Sequence, residues 1–548
     1  MSPAPTLPES IDLAHHLAKR VRTVQPSAMK ALGALVGSRK LLTLGGGTPH
    51  PSLFPMSHAT FTLPKLSTLN GDVQDWQQGE AVIEEIHLKK TGQGTENDEG
   101  GILDLNDILQ YGLSNGFPEL VHQSEELNEL LLRRLSQTQV LISLWVIQMA
   151  DGMSSGVSKV HQLLVEPDVD TVLTEEYSFA SSLNAARAKG VRLYPIKVDG
   201  EGLVPEDLEK VLSTWDERVQ GRKPHVLYTI PCGQNPTGST QPQERYDEIY
   251  RICQEHDVII MEDDPYYREQ LQLKEARSEL PPAPEHAKDD DVQAVAKVFN
   301  EYARVRSFLS RDVDGRVIRI DTFSKVFGPG VRLGWVTANS AFIERLLRIG
   351  ETTTQVPNGL SQSVLASYLS DKHWGIGGFI RWMWGVRLEY QNKRDYFLDR
   401  LNEYVPTNLV STVPCGAGMF QWLRVDLTSH PRYRKNPINS PAETAVVLAL
   451  DTVGKEPEVP PGLELKSTNE PAQYTSNAGE LMDELWNHLV EHGKVVLLPA
   501  KVFIVEKEGV DQSEDLNFFR ATFAGDLENI DAALKAFGGS IKEWFARG

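Results

Sequence analysis

Cysteine is scarce in this sequence, which has three cysteines in 548 residues. Cys232, Cys253 and Cys415 lie far apart, and none belongs to a Cys-x-x-Cys pair. This spacing disfavours both a disulfide framework and a zinc site, and it favours a reducing compartment. The aspartate run at 289–291 is interpreted as a solvated loop, so no metal site is expected.

Positive charge is also in deficit. The chain has 55 lysine and arginine residues against 75 aspartate and glutamate residues, a formal net charge of −20. Such an acidic surface repels phosphate backbones and anionic lipids, so neither nucleic acid nor a membrane is expected as a partner. No stretch approaches the ~20 apolar residues of a membrane span, and the N-terminal residues lack the apolar core of a signal peptide. We therefore expect a cytoplasmic protein.

Short apolar runs rich in β-branched residues occur through the middle of the chain. The clearest are DTVLTEE, HVLYTIP, DVIIMEDD and RVIRIDTFS. Nearly continuous apolar runs of this length are typical of strands buried on both faces of a mostly parallel sheet. Helical stretches separate several of them, and in one of these Val157, Val160 and Leu164 share a face. This alternation predicts an α/β fold.

Polar and aromatic side chains directly follow four of these runs. In chain order they are Tyr177, then Asn235 in CGQNPTG, then Asp263 and Tyr266 in EDDPYY, then Lys325 and Arg332. Ligands of open α/β sheets bind beyond the carboxyl ends of the strands, so these side chains are expected to share one site. The set matches the needs of pyridoxal phosphate, which requires an amine, an acid for its ring nitrogen, and donors for its phenolate and phosphate.

The motifs resemble those of the fold-type I aminotransferases of class I/II. They are most similar to those of the fungal-type aromatic aminotransferases and the 2-aminoadipate/kynurenine aminotransferases. The matching segments are LTLGGGTPHPSLFP ending at Pro55, LQYGLSNGFPEL at 109–120, the core from Gly152 to Trp335, PCGAGMFQWL at 414–423 and NFFRATFA at 517–524. The resemblance implies a large domain with a mostly parallel seven-stranded sheet between helices, and a smaller α+β domain.

The resemblance also suggests how the chain is divided. Residues 1–103 would form an N-terminal arm and part of the small domain, 104–370 the large cofactor-binding domain, and 371–548 the C-terminal small domain. Three segments are interpreted as polar surface insertions, at 66–103, 272–315 and 428–478. They combine low apolar content with proline, glycine and charge, so we predict loops there.

The resemblance assigns roles around the cofactor ring. Lys325 matches the lysine that holds pyridoxal phosphate as a Schiff base and moves a proton between the substrate Cα and C4′ of the cofactor. Asp263 matches the carboxylate under the pyridine nitrogen, where a charge-assisted pair keeps that nitrogen protonated. Tyr266 and Asn235 match the two donors to the cofactor O3′, and Tyr177 matches the aromatic residue that stacks on the ring.

The cofactor phosphate is expected at the start of the helix after Gly152, where free backbone N–H groups and the helix dipole favour an anion. Relatives often have Ser-Gln after this glycine, whereas this chain has Met153-Ser154-Ser155. The first hydroxyl is therefore missing. The backbone amides of Met153 and Ser154, with the Ser154 hydroxyl, are expected to replace it.

Four further residues complete the expected phosphate site. By resemblance, Thr322, Ser324 and Arg332 bind the phosphate, and a guanidinium does so through two parallel N–H bonds. Tyr111 matches a tyrosine that reaches the phosphate of the neighbouring subunit, which implies a homodimer.

Four residues are assigned to the substrate. Arg520, in NFFRATFA, matches the arginine that grips the substrate α-carboxylate at two points, and Asn235 also touches this carboxylate in the family. Gly47 matches a glycine that lines the side-chain pocket. Lys30 falls where relatives place a basic residue near a distal substrate carboxylate.

The leading function is transfer of an amino group from phenylalanine, tyrosine or tryptophan to a 2-oxo acid, with 2-oxoglutarate as the expected acceptor. A 2-aminoadipate or kynurenine aminotransferase remains open, as does another pyridoxal-phosphate reaction such as that of a lyase. A transcription regulator with an aminotransferase-like domain is disfavoured. Only about forty residues precede LTLGGG, and they are not basic enough for a DNA-binding domain.

Overall fold

The computed structural model describes residues 10–27, 49–66, 72–90, 103–132, 145–272, 291–435, 476–507 and 509–547. Its strands are β1 (His58–Pro64), β2 (Ile83–Lys89), β3 (Trp145–Ala150), β4 (Thr171–Glu175), β5 (Arg192–Ile196), β6 (Val198–Asp199), β7 (Gly202–Leu203), β8 (Val226–Thr229), β9 (Ile259–Asp263), β10 (Val317–Thr322), β11 (Gly334–Asn339), β12 (Val410–Thr412), β13 (Phe420–Val425), β14 (Leu498–Pro499) and β15 (Phe518–Thr522).

The α-helices are α1 (Lys19–Arg22), α2 (Asp72–Gln78), α3 (Leu105–Ile108), α4 (Pro118–Leu131), α5 (Met153–Leu164), α6 (Ala180–Arg187), α7 (Pro205–Ser213), α8 (Glu217–Gln220), α9 (Gln243–Glu255), α10 (Val292–Glu301), α11 (Ser340–Thr352), α12 (Gly359–Tyr368), α13 (Gly375–Tyr404), α14 (Ala478–His488) and α15 (Leu527–Arg547). A π-helical turn, Leu489–Gly493, continues α14. The 3₁₀ turns are Ala14–His16, Pro51–Leu53, Tyr267–Glu269, Phe308–Arg311, Pro329–Val331, Leu427–Ser429, Ala500–Val502 and Ser513–Leu516.

Seven of the strands in the described ranges form one sheet, in the order β3-β11-β10-β9-β8-β4-β5. Neighbouring strands are parallel except at β11, which is antiparallel to β3 and β10. The four strands predicted from the sequence are confirmed as β4, β8, β9 and β10, and all their residues are buried. The predicted α/β architecture is confirmed, and the carboxyl ends of these four strands lie on the same edge.

Helix α5 packs against the strands that hold the expected site. Val157, Val160 and Leu164 are buried, as the helical periodicity predicted. A Cβ on Gly156 would lie 2.9 Å from Cγ2 of Ile320 on β10, so glycine allows the helix to approach the sheet closely. The N-terminus of α5 is thereby held near the carboxyl end of β10.

A second sheet is built from the C-terminal part of the chain. Its described strands are antiparallel, in the order β12-β13-β15-β14. The long helix α13 contributes to the cores of both sheets: Ile376 and Phe379 pack in a cluster with β3 and β11, whereas Phe397 and Leu401 pack with β13 and β15. We call the part of the protein built on each sheet a lobe. The boundary between the two lobes therefore lies within this helix.

The prediction of loops is wrong for parts of two predicted insertions. In 66–103, the structure contains α2 and the strand β2, with Ile86 and Leu88 fully buried. In 272–315, it contains α10, whose Val295 and Phe299 are buried against α13. The apolar residues of these elements are spaced so that they share one face. The segments around them are mostly polar, and their average composition therefore indicated loops. Residues 273–290 and 436–475 lie outside the described residues.

The N-terminal residues pack on the large sheet. Leu13, Leu17 and Val21 join the cluster that covers one of its faces, and the β1–β2 hairpin packs on another cluster there through Leu63 and Ile86. The assignment of part of 1–103 to the small domain stays a prediction, because Val73 on α2 lies instead beside Tyr390 and Ala524. None of the described helices is long and apolar enough to span a bilayer.

Candidate active site

The end of β9 bears a buried carboxylate with one unsatisfied oxygen. Asp263 is 1% exposed, and its Oδ2 accepts a 2.6 Å hydrogen bond from the Tyr228 hydroxyl on β8. Its Oδ1 is buried and has no hydrogen-bond partner among the described residues. Burial raises the pKa of Asp263 to about 7, although the Tyr228 hydrogen bond and the Lys325 charge oppose this rise. A cationic ring N–H fits this acceptor and would favour its charged form.

The neighbouring acid, Asp264, is already paired inside the fold. Successive side chains of an extended chain face opposite sides, and Asp264 Oδ2 lies 2.8 Å from Nη1 of Arg319. The same guanidinium contacts Glu262 at 3.3 Å and Asp321 at 2.8 Å. These four side chains are fully buried. Asp263 is therefore the acid of this pair that is available to a ligand.

Lys325 and Tyr266 lie beside Asp263. Lys325 Nζ lies 5.9 Å from the centroid of the Tyr266 ring. Tyr266 is 4% exposed, and burial raises its pKa well above the ordinary value for tyrosine. Gly418, at φ +74°, makes room for this side chain, since a Cβ there would lie 3.0–3.3 Å from two ring carbons and the Cβ of Tyr266. The strand ends thus bring an amine, a phenol and a carboxylic acid into one site, as the sequence predicted.

The start of α5 and Arg332 form an anion-binding surface. Gly152 precedes the helix with φ +83°, and a Cβ on it would collide with the Arg332 guanidinium. Arg332 is itself held by a 2.9 Å hydrogen bond from Nη1 to the Pro329 carbonyl. Within the described residues, no side chain caps α5. The first N–H groups, including those of Met153 and Ser154, therefore face the same space as the guanidinium, which suits a phosphate.

Thr322 and Ser324 shape the turn that leads to Lys325. Their hydroxyl oxygens are 2.8 Å apart. The Thr322 hydroxyl donates to the Leu333 carbonyl at 3.1 Å and accepts from the Ser324 N–H at 3.1 Å. Thr322 thus orders the turn, and direct contact of either hydroxyl with phosphate stays a prediction.

Arg520 and Asn235 connect the two lobes. Arg520 Nη1, on β15, donates to Oδ1 of Asn235 at 2.7 Å. The guanidinium carbon lies 4.1 Å from the ring centroid of Phe420 and 4.8 Å from that of Phe503. Burial lowers the pKa of Arg520, a shift opposed by Tyr266. A guanidinium held between two rings and bonded to a buried amide is positioned to bind a carboxylate at two points.

Two predicted tyrosines have different surroundings. Tyr177 is 4% exposed, its hydroxyl donates to the Asp515 carbonyl at 2.6 Å, and its ring packs against Trp422 and Phe518. Stacking of this ring on a cofactor stays a prediction. Tyr111 is 61% exposed, which excludes an ordinary core tyrosine in this chain.

Two substrate-pocket predictions are untested by the structure. Lys30 and Gly47 lie outside the described residues.

Three residues of the site were missed by the sequence reasoning. Tyr228 lies within a strand, and only the pairing of Tyr228 with Met261 in the β8–β9 register places it near Asp263. Phe420 and Phe503, which frame Arg520, come from segments distant in sequence. Phe420 falls within PCGAGMFQWL, a segment that carried the resemblance, so that motif offered a signal; Phe503 offered none.

The sequence and structure were then compared with known proteins. Residues 93–537 match aminotransferase class I and II. The chain is 37% identical to the L-tyrosine:2-oxoglutarate aminotransferase atrD of Tapinella panuoides, with 99% of this chain and 98% of the relative covered. It is 34% identical to the aromatic amino acid aminotransferase C56E4.03 of Schizosaccharomyces pombe, with 97% and 98% covered. The crystal structure of aminotransferase Aro8 from Candida albicans has 29% identity and a TM-score of 0.77, with 98% of this chain and all of that chain covered.

This chain therefore belongs to the class I and II aminotransferases. It is an enzyme that depends on pyridoxal phosphate, and the unsatisfied Asp263 oxygen and the uncapped helix beside Arg332 fit that cofactor.

Proposed function

We propose that this chain transfers the amino group of an aromatic amino acid to a 2-oxo acid, with 2-oxoglutarate as the acceptor. The observation that supports the α-carboxylate site is the Arg520–Asn235 pair between Phe420 and Phe503. Two phenyl rings beside the carboxylate-binding group provide an apolar wall for an aromatic side chain. The names of the relatives from T. panuoides and S. pombe support the same substrate class.

We further propose how the chain's own residues hold the cofactor. Lys325 binds it covalently, Asp263 keeps its ring nitrogen charged, and Tyr266 and Asn235 donate to its phenolate oxygen. When bound, pyridoxal phosphate supplies an electron sink for the charge that develops at the substrate Cα. Once the substrate amine has replaced it on the cofactor, the freed Lys325 amine would take the proton from that Cα, because it is the amine that the strand ends bring beside Asp263 and Tyr266.

The remaining proposed contacts orient the two ends of the site. The N–H groups of Met153 and Ser154, the Ser154 hydroxyl, and the side chains of Thr322, Ser324 and Arg332 bind the phosphate. Tyr177 packs on the ring. When substrate binds, the Arg520 guanidinium turns from Asn235 towards the α-carboxylate and contacts it at two points. Asn235 contacts the same carboxylate. Gly47 and Lys30 remain proposed contacts for the substrate side chain.

The test is a comparison of amino donors in the first half-reaction. The cofactor-loaded enzyme is mixed with phenylalanine, tyrosine, tryptophan, 2-aminoadipate or kynurenine, and kcat/KM is read from the change in cofactor absorbance. We expect the three aromatic amino acids to react fastest. Faster reaction with 2-aminoadipate would contradict the aromatic assignment and leave the aminotransferase class intact, and the same holds for kynurenine. Lys325→Ala should lower turnover with every donor by about 10²–10⁴-fold or more.

We also propose a homodimer, in which Tyr111 of each subunit reaches the phosphate site of the other. Tyr111 and Leu113 are 61% and 53% exposed in the single chain, an unusual setting for two large apolar residues so close in sequence. Light scattering at the assay concentration should give twice the chain mass. A fully active monomer would exclude a shared site.

We propose a cytoplasmic location. All three cysteines are buried and unpaired, which agrees with a reducing compartment.

A further inference from the structure

A cluster of two histidines and an aspartate lies apart from the proposed active site, on the N-terminal segment. His15 and His16 belong to the 3₁₀ turn Ala14–His16, and Asp257 lies in the turn between α9 and β9. His15 Nε2 lies 2.6 Å from Asp257 Oδ2, and His16 Nε2 lies 3.0 Å from Oδ1. One ligand atom from each of the three residues falls within 4.8 Å of the others. Two imidazole nitrogens thus converge on one carboxylate.

The contacts of His16 continue into the protein. His16 Nδ1 lies 3.0 Å from Nδ1 of His225. His225 Nε2 lies 3.4 Å from Oδ2 of Asp170. The chain Asp257–His16–His225–Asp170 therefore contains three polar contacts in series, and it ends in a carboxylate on each side.

Counting protons shows that this series of contacts is one N–H donor short. Each of the three contacts needs one N–H donor, but two neutral imidazoles have only two N–H groups between them. If His225 donates to Asp170 and His16 Nδ1 donates to His225, the bare Nε2 of His16 faces an Asp257 oxygen. Two lone pairs at 3.0 Å repel unless a cation lies beside both.

We propose that His15, His16 and Asp257 bind one divalent transition-metal cation of the Zn²⁺ class. Imidazole nitrogen with carboxylate oxygen is a ligand set that Zn²⁺ accepts, in a tetrahedral site with a solvent molecule as the fourth ligand. The side chains of His15 and Asp257 are 56% and 52% exposed, so a cation and its solvent ligand can reach the site. His225 and Asp170 act as the outer partners that orient the His16 ring.

The observed distances require only a small adjustment. Ligand atoms around a tetrahedral Zn²⁺ lie about 3.3 Å apart, because each metal–ligand bond is about 2.0–2.1 Å long. His15 and Asp257 are half-exposed and can separate by this amount, while the buried His16 stays in place. Arg316 Nη1 lies 3.8 Å from Asp257 Oδ1, but its guanidinium is already neutralised by Asp314 at 2.8 Å. The bound cation would tie the N-terminal segment to the large domain.

The test uses the cofactor-loaded enzyme, treated with a chelator and dialysed, without any amino acid because amino acids bind metals themselves. Zn²⁺ is titrated by calorimetry, and Co²⁺ is titrated by its visible absorption. We expect one cation per chain, a tetrahedral Co²⁺ spectrum and a higher melting temperature with Zn²⁺. His15→Ala and Asp257→Asn should each weaken binding by about 10–100-fold or more, and His225→Ala by about 10–100-fold.

His492→Ala is the matched control. His488 and His492 form another close histidine pair, with ring centroids 4.9 Å apart, on α14 and its continuation. This variant should leave the Zn²⁺ stoichiometry and affinity unchanged. Absence of saturable binding, or binding that survives both His15→Ala and Asp257→Asn, would overturn the proposal. Amino transfer by His15→Ala should equal that of the wild type, which shows that the variant is folded.

Discussion

At the scale of single residues, the consecutive acids Asp263 and Asp264 differ because, in the described part of the chain, only Asp264 forms an ion pair with a buried arginine. Both carboxyl groups keep one buried oxygen without a hydrogen-bond partner, but Asp264 is paired with Arg319, whereas Asp263 forms no ion pair within the described residues. Asp263→Asn should fold yet lose kcat by about 100-fold or more, because a neutral amide cannot hold a ring nitrogen in its charged form. Asp264→Asn is the matched variant. It should lower the melting temperature, because Arg319 loses a charged partner, and it should change kcat much less than Asp263→Asn does.

Steady-state kinetics with saturating cofactor and thermal melts separate the two effects. If kcat fell in Asp264→Asn while Asp263→Asn remained active, the roles would be reversed.

Tyr228 is a positioning residue that acts through Asp263. Its hydroxyl stabilises the ionised carboxylate, so Tyr228→Phe should raise the pKa of Asp263 further. The loss of one hydrogen bond to a charged group costs about 1.5–3 kcal/mol, which corresponds to a cofactor dissociation constant at least about tenfold larger. Cofactor affinity is measured by equilibrium dialysis at several pH values, and the difference from wild type should be larger at low pH.

Tyr246→Phe is the control for this variant. Tyr246 is also fully buried, but its hydroxyl has no hydrogen-bond partner in the described structure. Its removal should leave cofactor affinity unchanged. Equal losses of cofactor affinity in Tyr228→Phe and Tyr246→Phe would mean that the Tyr228 hydroxyl does not act through Asp263.

At the scale of elements, helix α15 contains two adjacent glycines in unlike surroundings. A Cβ on Gly538 would collide with the backbone carbonyl of Tyr404 at the end of α13, whereas a Cβ on Gly539 meets nothing within 4 Å. Gly538→Ala should therefore destabilise the protein by roughly 1–3 kcal/mol. Gly539→Ala should stabilise it by about 0.5–1 kcal/mol, since alanine loses less entropy in a helix.

Urea unfolding of the two variants measures both changes against the wild type. Because the glycines share one helix, a general effect of helix propensity would move both variants in the same direction. That outcome would show that α15 does not pack closely on the end of α13.

Helix α10 lies in a segment that was predicted to be a loop from its average composition. It begins at Val292 after Asp291, whose carboxylate accepts from the Ala294 N–H at 3.0 Å as a helix cap. Val295 and Phe299 are four residues apart and face the core. The prediction averaged these residues with the proline- and aspartate-rich stretch before them, so the amphipathic period was lost.

At the scale of the whole molecule, several buried acids make stability depend on pH. Burial raises the pKa of Glu175 and Asp263 to about 7, and that of Glu269 to about 8. In the unfolded chain these groups lose their protons near pH 4. Between about pH 4 and 7 these acids therefore bind more protons in the folded state than in the unfolded state, so their contribution to the free energy of unfolding falls as pH rises.

Glu269 allows this dependence to be tested in the cofactor-free protein. Both of its carboxyl oxygens are buried without a partner among the described residues. Glu269→Gln should make the decline between pH 5 and 8 shallower, by up to about 1.4 kcal/mol per pH unit. Glu491→Gln, at an exposed glutamate, should leave the slope unchanged. The slopes are measured by urea unfolding at each pH; identical slopes in wild type and Glu269→Gln would show that Glu269 does not remain protonated in the fold.

The sequence by itself determined the class of fold and the chemical groups of the site. Apolar runs without alternation specify strands buried on both faces, and the parallel arrangement then places Asp263, Tyr266 and Lys325 on one edge, wherever the strands sit in the sheet. The glycine before α5 likewise indicated a free helix N-terminus. These inferences depend only on local periodicity and on the residue that follows each strand.

The tertiary structure alone decided which groups meet across the sequence. The bond from Tyr228 to Asp263, the pairing of Arg319 with Asp264, and the rings of Phe420 and Phe503 around Arg520 depend on strand order, register and lobe packing. Local pattern does not encode these contacts, because each joins residues from different elements. The cluster of His15, His16 and Asp257 arises in the same way, from a turn and a loop 241 residues apart at their nearest.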